Sequence, residues 1–451
     1  MQSDPYILKP ENALDPPPGF VKKLKFLGPS FILSASIVGS GELIATTTLG
    51  AKAGFVTFWV IMVSCLVKVA VQLEMGKHTI LSGETAMQAF NKLPGPKIGK
   101  ARWAVWLVLF VMIVKLLQLG GIVGGVALIL KMVFPGMSVA LLAFLVAIVV
   151  ALITFKGYYR FIERLSLVLI ALFTAFTFSA IYFLKFTEYT LSWSDVLSGL
   201  TFQLPAAAIA IAIGAFGITG VGADEIIHYN YWCLEKGYAA YTGPFEKNQQ
   251  WADRAKGWIK VMHMDALLAM IIYTVVTAAF YLLGAAVLHA QDRIPEGYQM
   301  VESLSVMYTE SIGPQAKPLF LLGSFMVLFS TLFAALAAWV RQYSDLFGQM
   351  GWINFFDMNM RRRSIAVLAW VMPLLWATLF VFIRLPMLMV ISGGIVGSIL
   401  LLLVIFAVLH FRYRRTRPEF IPGKIYDIIL WISVLAIVWV AVYSVSELVI
   451  G

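Results

Sequence analysis

The stretch GPSFILSASIVGSGELIATTTLGAKAGF, residues 28–55, is apolar enough to cross a bilayer, yet Gly39-Ser40-Gly41 interrupts it and Glu42 follows at once. A carboxylate inside a membrane is costly, so one set at a backbone break is a functional candidate by default. Broken backbone in lipid leaves amides and carbonyls unsatisfied unless they line a cavity or coordinate something. The same arrangement returns five spans later. Gly217, Gly220 and Gly222 interrupt the apolar run 204–234, and Asp224 and Glu225 follow. Paired glycine-broken helices in matching positions of two halves point to an inverted-repeat carrier with its site at the breaks.

The rest of the chain agrees with a membrane protein. Of its 451 residues 60% are hydrophobic and only 13% charged, about half the ~25% of a soluble domain. Two cysteines, Cys65 and Cys233, exclude a disulfide scaffold. Eleven apolar runs, near 26–51, 55–76, 103–133, 138–155, 160–186, 204–234, 259–289, 317–349, 364–383, 386–411 and 425–450, are long enough to span as helices. They are continuous rather than alternating, which excludes a barrel. The expectation is an all-α integral membrane protein. Residues 1–25 form a polar, flexible cytoplasmic tail and 26–186 the first five-helix repeat. Residues 187–203 form an extracellular linker, 204–411 the second repeat, and 412–451 a basic cytoplasmic loop with helix 11.

Orientation follows from Lys and Arg. With the N-terminus cytoplasmic, 26 of the 34 basic residues lie in inside segments and 5 in outside loops. The C-terminus is then extracytoplasmic, and the expected location is the plasma membrane. The same distribution explains the net charge of +10, because the basic runs are topology signals and not a nucleic-acid surface. No phosphate-loop, HExxH or GxSxG sequence supports an enzyme.

The acids at the breaks carry two readings. Asp224 and Glu225 open a half-helix, where acids cap amides and complement the dipole as readily as they bind a cation. Glu225-x-x-His228 puts a carboxylate and an imidazole on one face, but a di-metal bundle needs two such motifs, so His228 reads as packing or cavity lining. Lys68, Glu74 and Lys115 read as paired or snorkelling groups. Asp265 and His263 read as contacts to loop backbone at the start of span 7.

These residues resemble the natural-resistance-associated macrophage protein (Nramp) family of divalent-metal transporters. The block 28–55 matches the family's first span without gaps, MHMDALLAMIIYTVVTAAFYL (262–282) is similar to its aspartate-containing span 7, and LSGETAM (81–87) and LFSTLFAALAAWVRQYSDLF (328–347) to spans 2 and 8. The resemblance implies a LeuT-type fold of about eleven transmembrane helices, with inverted repeats of helices 1–5 and 6–10. It implies a metal site at broken helices 1 and 6, on this chain Gly39, Ser40, Glu42, Gly220, Ala223, Asp224 and Glu225.

The departures carry the specificity. Gly39 stands where the family has its metal-binding Asp, and Glu42 where it has Asn. Ala223 stands at the methionine ligand and Glu225 at the following histidine. Leu119 and Ile122 replace the Asp and Glu of the family's proton route. Thioether sulfur favours Mn²⁺, Fe²⁺ and softer ions, whereas Mg²⁺ is held through one or two carboxylates with waters kept. The pattern resembles the prokaryotic Nramp-related magnesium transporters. The expectation is alternating-access import of Mg²⁺, and also Mn²⁺, as a largely hydrated ion driven by membrane potential without proton coupling. No cofactor and no nucleic acid are expected, and the protein is expected to be a monomer in the lipid bilayer. Two alternatives stay open: a proton-coupled Mn²⁺/Fe²⁺ carrier with an altered site, with Met262 or Met264 supplying sulfur, and a LeuT-type carrier of an organic solute.

Overall fold

Helices fall on the eleven apolar runs in the computed structural model, which describes residues 4–37, 39, 41–156, 159–421 and 423–450. Span 1 is split into Pro29–Ile37, a wide-turned π-helical segment Gly41–Thr46 and Thr47–Ala53. Spans 2 to 5 are Phe58–Ser82, Trp103–Val133, Val139–Lys156 and Tyr159–Leu184. Span 6 is split into Ile209–Ile218 and Ala223–Lys236. Spans 7 to 11 begin with Gln249–Leu283, Ala316–Gln349, Met358–Ile383, Pro386–His410 and Lys424–Ile450. Among the described residues seven helical stretches, span 6 taken whole, are long and apolar enough to cross a membrane. The two interrupted spans are the two the glycines mark, and the architecture is the LeuT-type fold.

The break in span 6 has a backbone that glycine alone accommodates. Thr219 and Gly222 are extended, and Gly220 between them has φ +63°, a region open to glycine without steric cost. Just before the break, span 6 touches span 10 backbone to backbone. A Cβ on Gly217 would lie 1.8 Å from the Gly394 carbonyl oxygen, so the two helices approach as small residues permit.

Buried polar groups fix the half-helices. Asp265 accepts from the amides of Gly28 and Ser30, both at 2.7 Å, and so caps the start of span 1 across 235 residues of sequence or more. The expected loop-backbone contact of Asp265 is found there. Near the C-terminal ends of spans 2 and 10, Glu74 binds Lys77 at 2.6 Å and Arg412 at 3.0 Å. Glu84, just past span 2, binds Lys92 at 2.6 Å and Arg415 at 2.7 Å. Burial pushes the Glu84 carboxyl up, but hydrogen bonds from His78, Arg415 and Lys92 outweigh it and hold the group well below the usual carboxylate range.

Three features correct the sequence reading. The described part of the N-terminal tail is not a loose chain: Asp4 pairs with Arg361 at 2.9 Å and the Tyr6 hydroxyl donates to Glu235 at 2.6 Å. The Leu14 amide donates to Tyr241 and the Trp258 indole to Leu14. A buried aromatic and paired charges anchor a segment whose prolines had suggested a flexible tail. A helix, Met300–Ile312, lies in the loop between spans 7 and 8. A two-stranded antiparallel ribbon, Lys97–Ile98 with Ala101–Arg102, sits before span 3.

Candidate functional site

The two breaks meet at a cavity of about 30 Å³ walled by spans 1, 3, 6 and 8. Span 1 contributes Ile37 and Gly41, span 6 contributes Gly222, Asp224, Glu225 and His228, and span 8 contributes Thr331 and Trp339. Span 3 contributes Gln118, Leu119 and Ile122, so the two positions where the resemblance implied acids face the cavity as hydrocarbon. No methionine or cysteine is among the described lining residues. At about 30 Å³ the cavity is narrow, with Trp232, Trp339 and Ile37 among its walls.

Six of the seven expected site residues are described, and they divide into three groups. Asp224 and Glu225 line the cavity. Glu225 also caps its own half-helix, its Oε2 accepting from the Gly222 amide at 2.5 Å, so the capping and cavity readings hold together. Glu42 is fully buried beside the cavity wall made by Gly41 but turns to span 7: Oε1 accepts from Thr277 Oγ1 at 2.8 Å and Oε2 from the Gly39 amide at 3.3 Å. Gly39, Gly220 and Ala223 are not cavity-lining side chains. Gly39 gives its carbonyl to the Leu43 amide at 2.9 Å. Gly220 packs on span 2, where a Cβ would meet the Cys65 Cα at 2.9 Å. Ala223 is fully buried and absent from the wall, because an extended Gly222 turns the next side chain away. Ser40 lies outside the described residues.

Two lysines that the sequence left as paired or snorkelling groups belong to the breaks. Lys68 donates to the carbonyls of Phe216 and Thr219, at 2.8 Å for the latter, and caps the negative end of the first half of span 6. Ser64 donates to the same two carbonyls at 3.0 and 2.9 Å. Lys115 is ion-paired with Asp224, and both are buried. His228 Nε2 meets Gln342 Oε1 at 2.6 Å, as a cavity-lining group would. Met262 packs against Gly76, not at the breaks. The signal that could have placed Lys115 near the cavity is its spacing to Gln118, Leu119 and Ile122 on one face of span 3.

Chemically, the site offers carboxylate and amide oxygens, one imidazole and no sulfur. Gln118 on the cavity wall has its Oε1 buried without a hydrogen-bond partner, whereas buried polar atoms are ordinarily paired. Among the described residues no three His, Cys, Asp or Glu side chains converge as a metal cage.

Comparison with known proteins agrees with this architecture. Residues 30–447 match the family described as natural resistance-associated macrophage protein-like. An uncharacterized protein of Pasteurella multocida is 26% identical over 337 residues, 71% of this chain and 70% of that one. The divalent metal cation transporter MntH of Bradyrhizobium diazoefficiens is 24% identical over 346 residues, 75% of this chain and 69% of its own. In fold, the chain is similar to the Eremococcus coleocola manganese transporter, with TM-score 0.71 at 14% identity over 98% of this chain and 91% of that one. It is similar also to the nucleobase-cation-symport-1 family transporter Mhp1, with TM-score 0.59 at 15% identity over 97% and 92%. The broken helices and the match over nearly the whole chain place it: this chain belongs to the natural resistance-associated macrophage protein-like family, and it is a multi-pass membrane transporter and not an enzyme.

Proposed function

We propose that this carrier imports Mg²⁺, and also Mn²⁺, by alternating access at the two helix breaks. That it moves a divalent metal cation goes with its family and with its MntH relatives; the choice of ion is our reading. The observation that carries it is the polar part of the cavity lining, Asp224, Glu225, Gln118, Thr331 and His228, which among the described residues offers oxygen and one imidazole but no sulfur. Hard oxygen ligands suit Mg²⁺ and accept Mn²⁺, and no thioether favours softer ions. At about 30 Å³ the cavity is too small for six waters, so an ion carried largely hydrated requires it to widen on opening.

Uptake runs on voltage alone in this reading. A divalent ion gains ~4.6 kcal/mol per 100 mV, enough for roughly a thousandfold accumulation at ~1.4 kcal/mol per tenfold. Leu119 and Ile122 offer no proton relay beside the cavity. The N-terminus faces the cytoplasm and the C-terminus the outside of the plasma membrane, with repeats over 26–186 and 204–411.

Flux of Mg²⁺, Mn²⁺ and Ca²⁺ into liposomes at fixed voltage, with and without a pH gradient, tests the reading. Mg²⁺ and Mn²⁺ should enter and compete in the millimolar range on this reading, with Ca²⁺ poorly carried. Strong competition by Cd²⁺ with none by Mg²⁺ would replace it with the proton-coupled Mn²⁺/Fe²⁺ carrier.

A further inference from the structure

Lys115 shares one face of span 3 with Gln118, Leu119 and Ile122, the three residues that wall the cavity from that helix. Its ammonium donates to Asp224 Oδ1 on the second half of span 6. The fold makes room for this contact. The Lys115 side chain is 1% exposed, and Gly397 of span 10 leaves it space: a Cβ there would lie 3.3 Å from the ammonium nitrogen. A buried ion pair contributes little net stability, because desolvation offsets the attraction. Its presence at a transport cavity therefore calls for a reason other than folding.

Charge supplies that reason. At formal charge the breaks hold three carboxylates, Glu42, Asp224 and Glu225, against two ammonium groups, Lys68 and Lys115. The sum is −1, one charge short of neutralising a divalent ion. Lys68 rests on helix-end carbonyls, but Lys115 rests on a carboxylate of the cavity itself.

We propose that Lys115 is a specificity-determining residue, a tethered cation that occupies Asp224 until a divalent ion displaces it. The proposal rests on the cavity being the path of a divalent cation. A monovalent ion brings one charge and gains no more at Asp224 than Lys115 already supplies. A divalent ion brings two and displaces it. The competitor also keeps binding weak enough for release, which any conducting site requires.

The test uses K115Q and K115R in proteoliposomes, with initial rates of Mg²⁺ and Mn²⁺ uptake at clamped potential. K115Q should lower the apparent KM at least tenfold, about 1.4 kcal/mol, lower the maximal rate, and make uptake newly sensitive to Na⁺. K115R should keep the parental KM. A K115Q protein with parental or raised KM overturns the proposal, because mere structural damage lowers rate without tightening binding. If K115Q is not recovered folded, the unaltered protein carries the test: added Mg²⁺ should shift an infrared carboxylate band that D224N lacks, and the absence of such a band overturns the proposal. No saturable uptake of Mg²⁺ or Mn²⁺ by the unaltered protein overturns the transport reading along with it. Normal uptake with an unchanged K115Q KM overturns the role of Lys115 alone.

Discussion

Glu42 Oε1 accepts a 2.8 Å hydrogen bond from Thr277 Oγ1, which ties the carboxylate at the first helix break to span 7. The carboxylate is fully buried, and its neighbour Gly41 walls the cavity. A charge held there acts on the cavity through a low effective dielectric. Even near a dielectric of 20, a carboxylate ~5 Å from a divalent ion contributes several kcal/mol before desolvation.

Glu42→Gln should therefore reduce Mg²⁺ uptake to near background while the protein stays folded, as size-exclusion profiles and thermal unfolding can check. Thr277→Val removes the hydroxyl that orients the carboxylate but not its charge, so uptake should fall less than in Glu42→Gln. Parental uptake by Glu42→Gln would move attention to Asp224 and Glu225, which line the cavity directly.

Proton coupling should be absent. Leu119 and Ile122 put hydrocarbon on the span 3 wall of the cavity, where the family resemblance implies proton-route acids. A pH-sensitive dye inside liposomes should stay silent during metal uptake under a clamped potential. Acidification that scales with metal uptake would sink the claim.

Sulfur can be returned to the site without changing its volume. Ala223, the position the family pattern suggests, is fully buried off the cavity, so a methionine there overpacks at a typical cost of ~1–3 kcal/mol. Leu119 faces the cavity, and Leu→Met swaps usually cost under ~1.5 kcal/mol. Leu119→Met should leave stability nearly intact and strengthen Cd²⁺ competition against Mn²⁺ uptake several-fold. Unchanged Cd²⁺ inhibition would show that the ion does not touch this wall.

Glu84 makes stability pH-dependent at the end of span 2. Opposed by burial but held down by His78, Arg415 and Lys92, its carboxyl is depressed in the folded state. The stabilisation is thus fully present above the unfolded carboxylate pKa of about 4.3 and is lost as pH falls below it. Glu84→Gln should lower stability at pH 7 by about 1–3 kcal/mol, the usual effect of removing a partly buried charged hydrogen-bond partner. The gap from the parent should narrow as pH falls below about 4. A gap that persists unchanged into acid would show that lost packing, not charge, sets it.

The spans and their breaks were legible in the sequence because each answers a local demand. A bilayer requires about twenty apolar residues in a row, and an interrupted helix requires glycine and something to satisfy its ends. Residues 28–55 and 204–234 meet both conditions on their own, and the fold follows from finding two such runs in matching positions. The tail was read wrongly for a related reason. Its prolines are visible locally, but the partners of Asp4 and Tyr6, Arg361 and Glu235, lie hundreds of residues away.

Which acid faces the cavity, and what opposes it, only the tertiary structure decided. Helical spacing tells which residues share a face, but not which neighbouring helix that face meets. Glu42 turns to a hydroxyl 235 residues away, and Asp224 meets a lysine 109 residues before it. Ala223 leaves the cavity, while Asp224 and Glu225 enter it, because an extended Gly222 sets the rotation of the half-helix that follows. Such choices belong to packing between distant segments, where a buried charge finds its partner only after the helices have met.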